Sequence, residues 1–228
     1  MEPGANRVQP VHEDGGAHRV GATDGTEDKQ ECRATQETDR LDKRPLLIIV
    51  GGPPASGKSS TAEWLAQEFT LPLLSRDFFK EAMMDTLGAP DPETTHQYGI
   101  AAYAILNILQ QKFVEVGVGA VLESNFLRGL SEKDLAPILP KSRSVAIYCE
   151  ATVEESLRRF EERAHSGDRH PGHHDDDPEK LAELERDLRS GCYDPLDLDI
   201  SYLVVDATDD GKPDRATIKQ WVIDQTGG

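Results

Sequence analysis

Cysteine is scarce in this chain, and long apolar runs are missing. The 228 residues include three cysteines, Cys32, Cys149 and Cys192, with no C-x-x-C pair among them. Cysteines that are odd in number and widely spaced argue against a disulfide framework or a zinc site, and they suit a reducing compartment. No apolar run approaches the roughly 20 residues of a membrane helix, and the polar first residues lack the apolar core of a signal peptide. We therefore expect a cytoplasmic protein with no membrane partner.

Basic residues are few relative to acidic ones. The chain has 25 lysine and arginine residues against 42 aspartate and glutamate residues, which gives a formal net charge of −17. A surface with this charge repels a phosphate backbone. The composition therefore argues against nucleic acid as a partner, and it carries no signal for an oligomeric state.

Residues 1–44 differ in composition from the rest of the chain. They are rich in Gly, Thr, Gln, Asp and Glu and nearly free of aliphatic side chains. A segment of this kind cannot bury enough apolar surface to offset the entropy of ordering it. We expect residues 1–44 to form a disordered acidic tail and residues 45–228 to form one domain.

From Pro45 onward, short apolar runs alternate with amphipathic stretches. This alternation predicts an α/β fold in which helices cover both faces of a parallel sheet. Each apolar run has the length of a strand that is buried on both faces. The five predicted strands cover residues 46–50, 72–75, 119–124, 144–150 and 201–206.

The amphipathic stretches between these runs predict the helices. The longest, about 93–116, has apolar residues at helical spacing, and Gly117 follows its end. Another helix is expected to begin at Thr152, because the sequence Thr-Val-Glu-Glu matches a capping box. The predicted helix ranges are 60–69, 93–116, 152–164 and 178–190. The apolar face predicted for the longest helix includes Ala101, Ala104, Ile105, Ile108, Leu109, the stem of Lys112, Phe113 and Val116.

Residues 52–59 fit the phosphate-binding pattern G-x-x-x-x-G-K-[ST], between a predicted strand and a predicted helix. Glycine lets the backbone curl so that N–H groups point at a phosphate, and the N-terminus of the helix adds positive potential. Lys58 can reach the β- and γ-phosphates, and Ser59 can place its hydroxyl on Mg²⁺. We therefore expect a nucleoside triphosphate to bind here. The predicted nucleotide-binding residues are Gly52, Pro53, Pro54, Ala55, Ser56, Gly57, Lys58, Ser59 and Ser60.

Charged residues follow the second predicted strand. Ligands of a parallel α/β sheet bind at the carboxyl ends of its strands, where Asp77 and Lys80 lie. Transfer of a phosphoryl group to an alcohol needs a carboxylate that accepts the hydroxyl proton, and Asp77 is placed to do so. Lys80 could bind the acceptor. The alternatives are that Asp77 caps the next helix and that Arg76 is merely solvated.

The third predicted strand ends in the sequence Glu-Ser-Asn-Phe-Leu-Arg at 123–128. A carboxylate at such a strand end can face either a Mg²⁺ ion or the acceptor, and Asn125 and Arg128 could orient the acceptor. The alternative is a plain strand end followed by an asparagine turn. The candidate acceptor-binding residues are Lys80, Glu123, Asn125 and Arg128.

The segment from about 158 to 177 is rich in arginine and histidine and predicts a lid made of helix, loop and helix. Arginines on a lid can neutralise the oxygens of a phosphoryl group in transfer, and Arg163 and Arg169 are the best placed. For Arg158 and Arg159, the alternative is pairing with neighbouring glutamates along a helix surface.

His170 and His173 have the H-x-x-H spacing of some metal sites. Pro171 and Gly172 lie between them and break any helix, so one helix face does not present both rings. A lid contact to nucleotide or acceptor is the better interpretation. His174 and the aspartates at 175–177 are expected in a solvated loop.

Two other classes of phosphate-loop protein lack their motifs in this sequence. A GTPase would carry N-K-x-D for base recognition, which is missing, and the D-x-x-G match at 85–88 falls in a helical stretch. A ring-forming ATPase would have Asp-Glu after the third strand and a further helical domain, and neither is present.

The combined pattern resembles the zeta-toxin and polynucleotide-kinase-like group of P-loop kinases, which is related in architecture to chloramphenicol phosphotransferase, gluconate kinase and shikimate kinase. It covers about residues 45–207 and consists of the phosphate loop, an Asp and a basic residue after the second strand, E-S-N-F at 123–126 and the arginine-bearing lid. The resemblance implies a P-loop kinase-type three-layer sandwich with a parallel five-stranded sheet and a helical lid. It also implies transfer of the γ-phosphoryl group of ATP, with Mg²⁺, to a hydroxyl. The implied catalytic residues are Lys58, Asp77, Arg163 and Arg169, with Asp77 as the base.

The polynucleotide kinases carry D-x-x-R after the second strand, whereas this chain has Lys80 in place of that arginine. Lysine cannot make the planar, two-pronged contact with a phosphate. This departure and the acidic charge favour a small-molecule acceptor over a polynucleotide. Two alternatives stay open: a toxin-like kinase that acts on a nucleotide sugar, and a nucleotide-binding switch that hydrolyses ATP slowly.

Overall fold

The computed structural model describes residues 43–167, 169–208 and 214–227. The tail expected at residues 1–44 therefore lies outside the described residues, apart from Lys43 and Arg44. Five strands form one parallel sheet in the order β2-β3-β1-β4-β5. The strands are β1 (Leu46–Gly51), β2 (Leu73–Ser75), β3 (Ala120–Glu123), β4 (Arg143–Glu150) and β5 (Ser201–Asp206). All five predicted strands are confirmed, with shifts of one residue at some ends.

Seven α-helices connect and cover these strands in the described part of the chain. They are α1 (Lys58–Glu68), α2 (Arg76–Leu87), α3 (Pro92–Glu115), α4 (Glu132–Leu135), α5 (Val153–Ser166), α6 (Pro178–Ser190) and α7 (Arg215–Thr226). Short 3₁₀ turns lie at Leu139–Lys141 and Pro171–His173. The four predicted helices are confirmed as α1, α3, α5 and α6, and the predicted α/β class is confirmed.

The continuous apolar sequence of β1 reflects burial on both faces of the sheet. Ile48 and Val50 pack against residues of α1 and α7, whereas Leu47 and Ile49 pack against α3 and the segment around α4. Alternate side chains of a strand point to opposite faces, so one strand supplies both cores of a three-layer sandwich. A third, smaller cluster, centred on Phe160 of α5, joins that helix to α6.

The apolar face predicted for α3 is wrong. The helix buries Ala102, Leu106 and Val114, together with three less apolar residues, Thr95, Gly99 and Gln110. Of the predicted face, Leu109 and Phe113 are partly buried, whereas Ile105, Ile108 and Val116 are exposed. Two apolar stripes are possible on this sequence, and the sheet packs against the one that contains the small residues, which allow closer approach.

Within the described ranges, no helix combines the length and hydropathy needed to cross a bilayer.

The strand ends that carry polar residues meet at one edge of the sheet. Glu123 at the end of β3 is in register with Val50 of β1 on one side and with Ser75 of β2 on the other. The phosphate loop follows β1 directly, and α2 begins at the residue after Ser75. The parallel topology therefore brings the loop, the end of β3 and the first turn of α2 together.

Candidate active site

The phosphate loop has the backbone shape that its glycines permit. Gly52 has φ 136°, and a Cβ atom there would lie 2.1 Å from the carbonyl oxygen of Cys149, so only glycine fits. Gly57 has φ 81° and precedes the first turn of α1. Ala55, which also has a positive φ of 64°, continues this curled stretch. Successive N–H groups in such a curl converge on the space that a phosphate would occupy.

Lys58 lies at the start of α1 with its ammonium group buried at the loop. Its Nζ donates a hydrogen bond to the carbonyl oxygen of Pro53 (3.2 Å) and lies 4.0 Å from Oε1 of Glu123. Burial lowers the pKa of Lys58, and the neighbouring Glu123 and Asp77 carboxylates act in the opposite direction. A buried cation with one distant counter-charge is well suited to bind an arriving phosphate.

Glu123 is almost completely buried, with 2% of its surface exposed. Its two carboxylate oxygens accept hydrogen bonds from the hydroxyls of Ser59 (3.2 Å) and Ser75 (2.6 Å). The structure therefore places Glu123 beside the phosphate loop and not among the residues that line the large cavity described below. A serine hydroxyl and a carboxylate held together are hard oxygen ligands of the kind Mg²⁺ prefers, so these residues fit the metal that the sequence suggests.

Asp77 is the second residue of α2, and its carboxylate faces the lid. Its Oδ2 accepts from Nη2 of Arg169 at 3.1 Å, whereas the N-cap position of the helix belongs to Ser75. Burial alone would raise the pKa of Asp77, but Arg169 and Lys58 outweigh it and hold that pKa well below its usual range. Asp77 is therefore an ionised carboxylate at the mouth of the phosphate loop.

The two lid arginines chosen from the sequence lie together. Nη2 of Arg163 and Nε of Arg169 both approach Oδ2 of Asp175, at 3.2 Å and 2.8 Å. The sequence led us to expect Asp175 in a solvated loop, and this expectation is wrong. Asp175 is partly buried and bridges the two guanidinium groups. Arg158, in contrast, pairs with Glu155 and Glu162 on the exposed surface of α5.

The lid turn contacts one face of α2. Along this helix, Asp77, Glu81 and Asp85 recur every four residues. Asp77 pairs with Arg169 (3.1 Å), Glu81 with His173 (2.8 Å) and Asp85 with His170 (3.1 Å). We call these three pairs the lid–α2 contact. The two histidines of the H-x-x-H pattern thus bind separate carboxylates, and the described residues contain no group of three or more His, Cys, Asp or Glu placed to hold a metal.

His173 is buried and connects several charged groups. Its Nδ1 lies 3.0 Å from Nη2 of Arg169 and 3.5 Å from Nζ of Lys80, and its Nε2 lies 2.8 Å from Oε1 of Glu81. Both neighbours of Nδ1 are donors, so we assign the proton to Nε2, which donates to Glu81. Burial and the nearby Arg169 lower the pKa of His173 to about 2. His173 is therefore a neutral ring that positions Arg169.

A cavity of about 760 Å³ opens between the phosphate loop, α2, α3 and the lid. The lining includes Lys58, Ser59, Asp77, Lys80 and Asn125. Arg163 and Arg169 line it from the lid. Arg128, in contrast, is not among the residues that line the cavity. It is half-exposed and pairs with Asp194, at 3.7 Å. Lid, phosphate loop and Asp77 thus surround one space.

Some residues of this site were not singled out in the sequence. Arg76 was treated as solvated, yet its Nε donates to the carbonyl oxygen of Gly99 (3.2 Å) and it lines the cavity. The spacing of Asp77, Glu81 and Asp85 was a readable signal for a contact along one helix face. No local signal marked Asp175, because the fold of the lid alone brings it between the arginines.

The comparisons with known proteins fit this geometry. A family model described as "AAA domain" matches residues 47–181. A solved structure from Chloroflexus aurantiacus J-10-fl, provisionally described as a kinase, is 34% identical; the match covers 80% of this chain and 98% of that one, with a TM-score of 0.72. The comparison with curated proteins finds no match.

More distant structures are similar at the level of the fold. A gluconokinase from Sinorhizobium meliloti 1021 is 17% identical, with a TM-score of 0.49, over 80% of this chain and 92% of that one. A shikimate kinase from Aquifex aeolicus is 17% identical, with a TM-score of 0.45, over 80% of this chain and 96% of that one. Because the sequence identities and TM-scores are this low, neither structure carries an argument about this chain.

Proposed function

The chain belongs to the AAA domain family that matches residues 47–181, and on that premise we propose that it is an ATP-dependent kinase of a small molecule. Its resemblance to the P-loop kinases is confirmed at the level of family and fold. In the proposal, residues 45–228 form one kinase domain, which transfers the γ-phosphoryl group of ATP to a hydroxyl of the acceptor.

One observation carries this proposal. Asp77, Lys58 and the guanidinium groups of Arg163 and Arg169 line the same cavity. Phosphoryl transfer to an alcohol requires these components in one place: a cation at the β- and γ-phosphates, further cations at the transferring oxygens, and a carboxylate for the hydroxyl proton. A protein that only bound nucleotide would not need a carboxylate and a second compartment beyond the phosphate loop.

The proposed mechanism assigns each charged group to one step. The loop N–H groups and Lys58 hold the β- and γ-phosphates. Arg163 and Arg169 neutralise the equatorial oxygens of the phosphoryl group in transfer. Asp77 accepts the proton of the acceptor hydroxyl as the new O–P bond forms and the bond to ADP breaks. Phosphates compete with Asp77 for Arg169, so binding of ATP would free the carboxylate for this task.

Ser59 and Glu123 would hold the Mg²⁺ ion that accompanies ATP. Their oxygens are already joined by a hydrogen bond of 3.2 Å beside Lys58. When bound, the metal supplies charge neutralisation on the phosphate oxygens. The chain's own part is to keep the Ser59 hydroxyl and the buried Glu123 carboxylate oriented, which Ser75 assists through its hydrogen bond to Oε2 of Glu123 (2.6 Å).

The size of the cavity favours a small acceptor. A volume of about 760 Å³ lies within the range of small-molecule pockets, roughly 300 to 1,000 Å³. The formal net charge of −17 opposes long-range attraction of a polynucleotide. We therefore propose a small hydroxyl compound as the acceptor.

A screen of phosphoryl acceptors tests the proposal. The protein is incubated with ATP, Mg²⁺ and pools of small hydroxyl compounds, and mass spectrometry detects any compound that gains one phosphoryl group. We expect a phosphorylated product together with acceptor-stimulated release of ADP. Slow release of ADP that no acceptor stimulates would instead support a nucleotide-hydrolysing switch.

Lys58→Ala is the matched control for this screen. The loss of the ammonium group at the β- and γ-phosphates should abolish transfer, whereas thermal unfolding should show that the fold is intact. Near-normal transfer by Lys58→Ala would refute the assignment of the phosphate loop.

A further inference from the structure

We propose that the acceptor carries, besides the hydroxyl that is phosphorylated, an anionic group, phosphate or carboxylate, which binds between Arg76 and Lys80 on α2. This inference rests on the proposed function, because it names the class of compound that the same cavity accepts. It starts from two cations one helical turn apart whose charges have no carboxylate partner.

Lys80 is the first of these cations. It is buried, with 8% of its surface exposed, and it lines the cavity. Its closest polar contact is Nδ1 of the neutral His173, at 3.5 Å, and among the described residues it forms no ion pair. Buried lysines are normally paired with an acid. Burial lowers the pKa of Lys80 to about 8, and Arg76 adds to this effect; an anion beside Lys80 would raise that pKa again.

Arg76 is the second cation, and α3 is shaped to receive it. Its Nε donates to the carbonyl oxygen of Gly99, inside α3, at 3.2 Å. A Cβ atom at Gly99 would lie 2.5 Å from Nη2 of Arg76, and the three heavy atoms nearest to it would all belong to the Arg76 guanidinium group. Glycine inside a helix is destabilising relative to alanine, so this position fits a need to place the guanidinium group there. In the described part of the chain, no hydrogen bond or ion pair involves the two Nη atoms of Arg76.

The surrounding charges make this corner of the cavity positive. Arg76, Lys180 and Arg169 lower the pKa of Lys80, and Asp77 acts in the opposite direction. Asp77 is already engaged by Arg169. Other carboxylates line the cavity on α3, α4 and α6, but none forms an ion pair with Arg76 or Lys80 among the described residues. Besides Asp77, and Asp175 that pairs with Arg163 and Arg169, the acidic cavity residues are Glu93, Asp134, Glu183 and Asp187.

The two cations contact other parts of the site than Lys58 of the phosphate loop does. Arg76 donates to the carbonyl oxygen of Gly99 in α3, whereas Lys58 donates to that of Pro53 in the phosphate loop. A planar guanidinium with free Nη atoms and a lysine one turn along the same helix face match the oxygens of a phosphate monoester or a carboxylate. Together they would hold the acceptor by its charge while its hydroxyl approaches Asp77.

A binding experiment tests this subsite without any need for turnover. The protein is saturated with Mg²⁺ and a non-hydrolysable ATP analogue, so that the phosphate loop is filled. Inorganic phosphate and acetate are then titrated in separate arms by isothermal calorimetry, to distinguish a phosphate from a carboxylate preference. We expect at least one of the two anions to bind, and Arg76→Gln and Lys80→Met each to weaken that binding about tenfold, as expected for loss of one charge-assisted hydrogen bond.

Matched controls remove an equal charge elsewhere. Arg158→Gln and Lys112→Met change exposed side chains that pair with glutamates on their own helices, so anion binding should not change. Gly99→Ala keeps every charge but displaces the guanidinium of Arg76. We expect this variant to weaken anion binding while its melting temperature stays equal to or above that of the wild type.

Three results would overturn the inference. The first is anion binding that Arg76→Gln and Lys80→Met leave unchanged. The second is binding that disappears when the ATP analogue fills the loop, since this would locate the anion at the phosphate loop. The third is failure of both anions to bind. If the anions bind as expected and no compound is phosphorylated in the acceptor screen, the proposed function fails while the subsite stands.

Discussion

Arg169 connects the lid to the carboxylate proposed as the base. Its guanidinium touches Asp77, Asp175 and the neutral ring of His173. The same group is proposed to neutralise the transferring phosphoryl oxygens, so it would exchange the Asp77 contact for a phosphate contact when ATP binds. His173 and Asp175 would keep it in place during that exchange. The proposed base, Asp77, and the lid residue Arg169 therefore already form an ion pair in this structure.

Arg163 offers a test of the lid at the same scale. Arg163→Gln should lower kcat by at least about 100-fold, because a cation near the transferring phosphoryl group is lost. Arg158→Gln, on the same helix, should leave kcat unchanged, because Arg158 lies on the exposed surface and pairs with Glu155 and Glu162. Steady-state kinetics of the two variants makes the comparison. An equal, small effect of both would assign Arg163 a purely structural role.

The sequence identified residues whose position follows from a strand end, and it missed those placed by packing. Lys58 and Asp77 could be chosen because parallel strands end at one edge of the sheet. Arg76 could not, since its role depends on Gly99 lying across from it, 23 positions along the chain. The local pattern also gave no reason to separate Glu123, which contacts Ser59, from the acceptor-binding candidates.

At the scale of elements, the lid is joined to the helix that carries the base. In the lid–α2 contact, three acids on one face of α2 meet Arg169, His170 and His173. Gly172 is close-packed in the same turn, where a Cβ atom would lie 2.6 Å from Cβ of Ala89. Opening of the lid would therefore break contacts along two turns of α2 at once.

The pH dependence of stability tests this contact. The pKa of His173 is about 2 in the folded protein against 6.5 for the free side chain, so the unfolded state binds more protons below about pH 6.5. The free energy of unfolding should then decrease as the pH is lowered. His173 should contribute about 1 kcal/mol of this decrease between pH 7 and pH 5.5. Urea denaturation across this range should show a smaller loss for His173→Gln. Parallel curves for the two proteins would contradict a buried, neutral His173.

The long helix α3 shows where periodicity misleads. Apolar residues recur on two faces of this helix, and the stripe with the larger side chains was chosen from the sequence. The structure buries Leu106 and exposes Ile108, the latter with 59% of its surface accessible. Periodicity fixes the helix but does not decide between two apolar stripes, because that choice depends on the shape of the sheet against which the helix packs.

Two truncations on α3 distinguish these faces. Leu106→Ala should lower the free energy of unfolding by about 2–5 kcal/mol, because it leaves a cavity between the helix and the sheet. Ile108→Ala, two positions away, should change it by less than about 0.5 kcal/mol. Chemical denaturation measures both. A larger loss of stability for Ile108→Ala than for Leu106→Ala would mean that the face expected from the sequence is the buried one.

At the scale of the whole molecule, the site results from strand order. The order β2-β3-β1-β4-β5 places the ends of β1 and β2 on either side of β3, so that Ser59, Ser75 and Glu123 meet. The alternation of strands and helices predicts a parallel sheet, but it does not give this order or the register. Those depend on contacts between distant residues that no short window of sequence contains.

The distribution of charge is also a property of the whole chain. The formal net charge is −17, yet Arg76, Lys80, Arg163 and Arg169 are concentrated around one cavity. Cations grouped in one cavity can bind a small anion at short range, whereas the negative net charge opposes extended polyanions at long range. This combination is the physical basis for expecting a small acceptor.

The central claim is that Asp77 acts on an acceptor beside a separately bound ATP. The most direct test is to measure kcat and the dissociation constant of ATP for the wild type and for Asp77→Asn, with the acceptor found in the screen. We predict that kcat falls by at least about 100-fold while the dissociation constant of ATP changes little, because only the base is lost. Equal losses in kcat and in ATP affinity would contradict this account and would assign Asp77 to Mg²⁺ or to the structure of the lid.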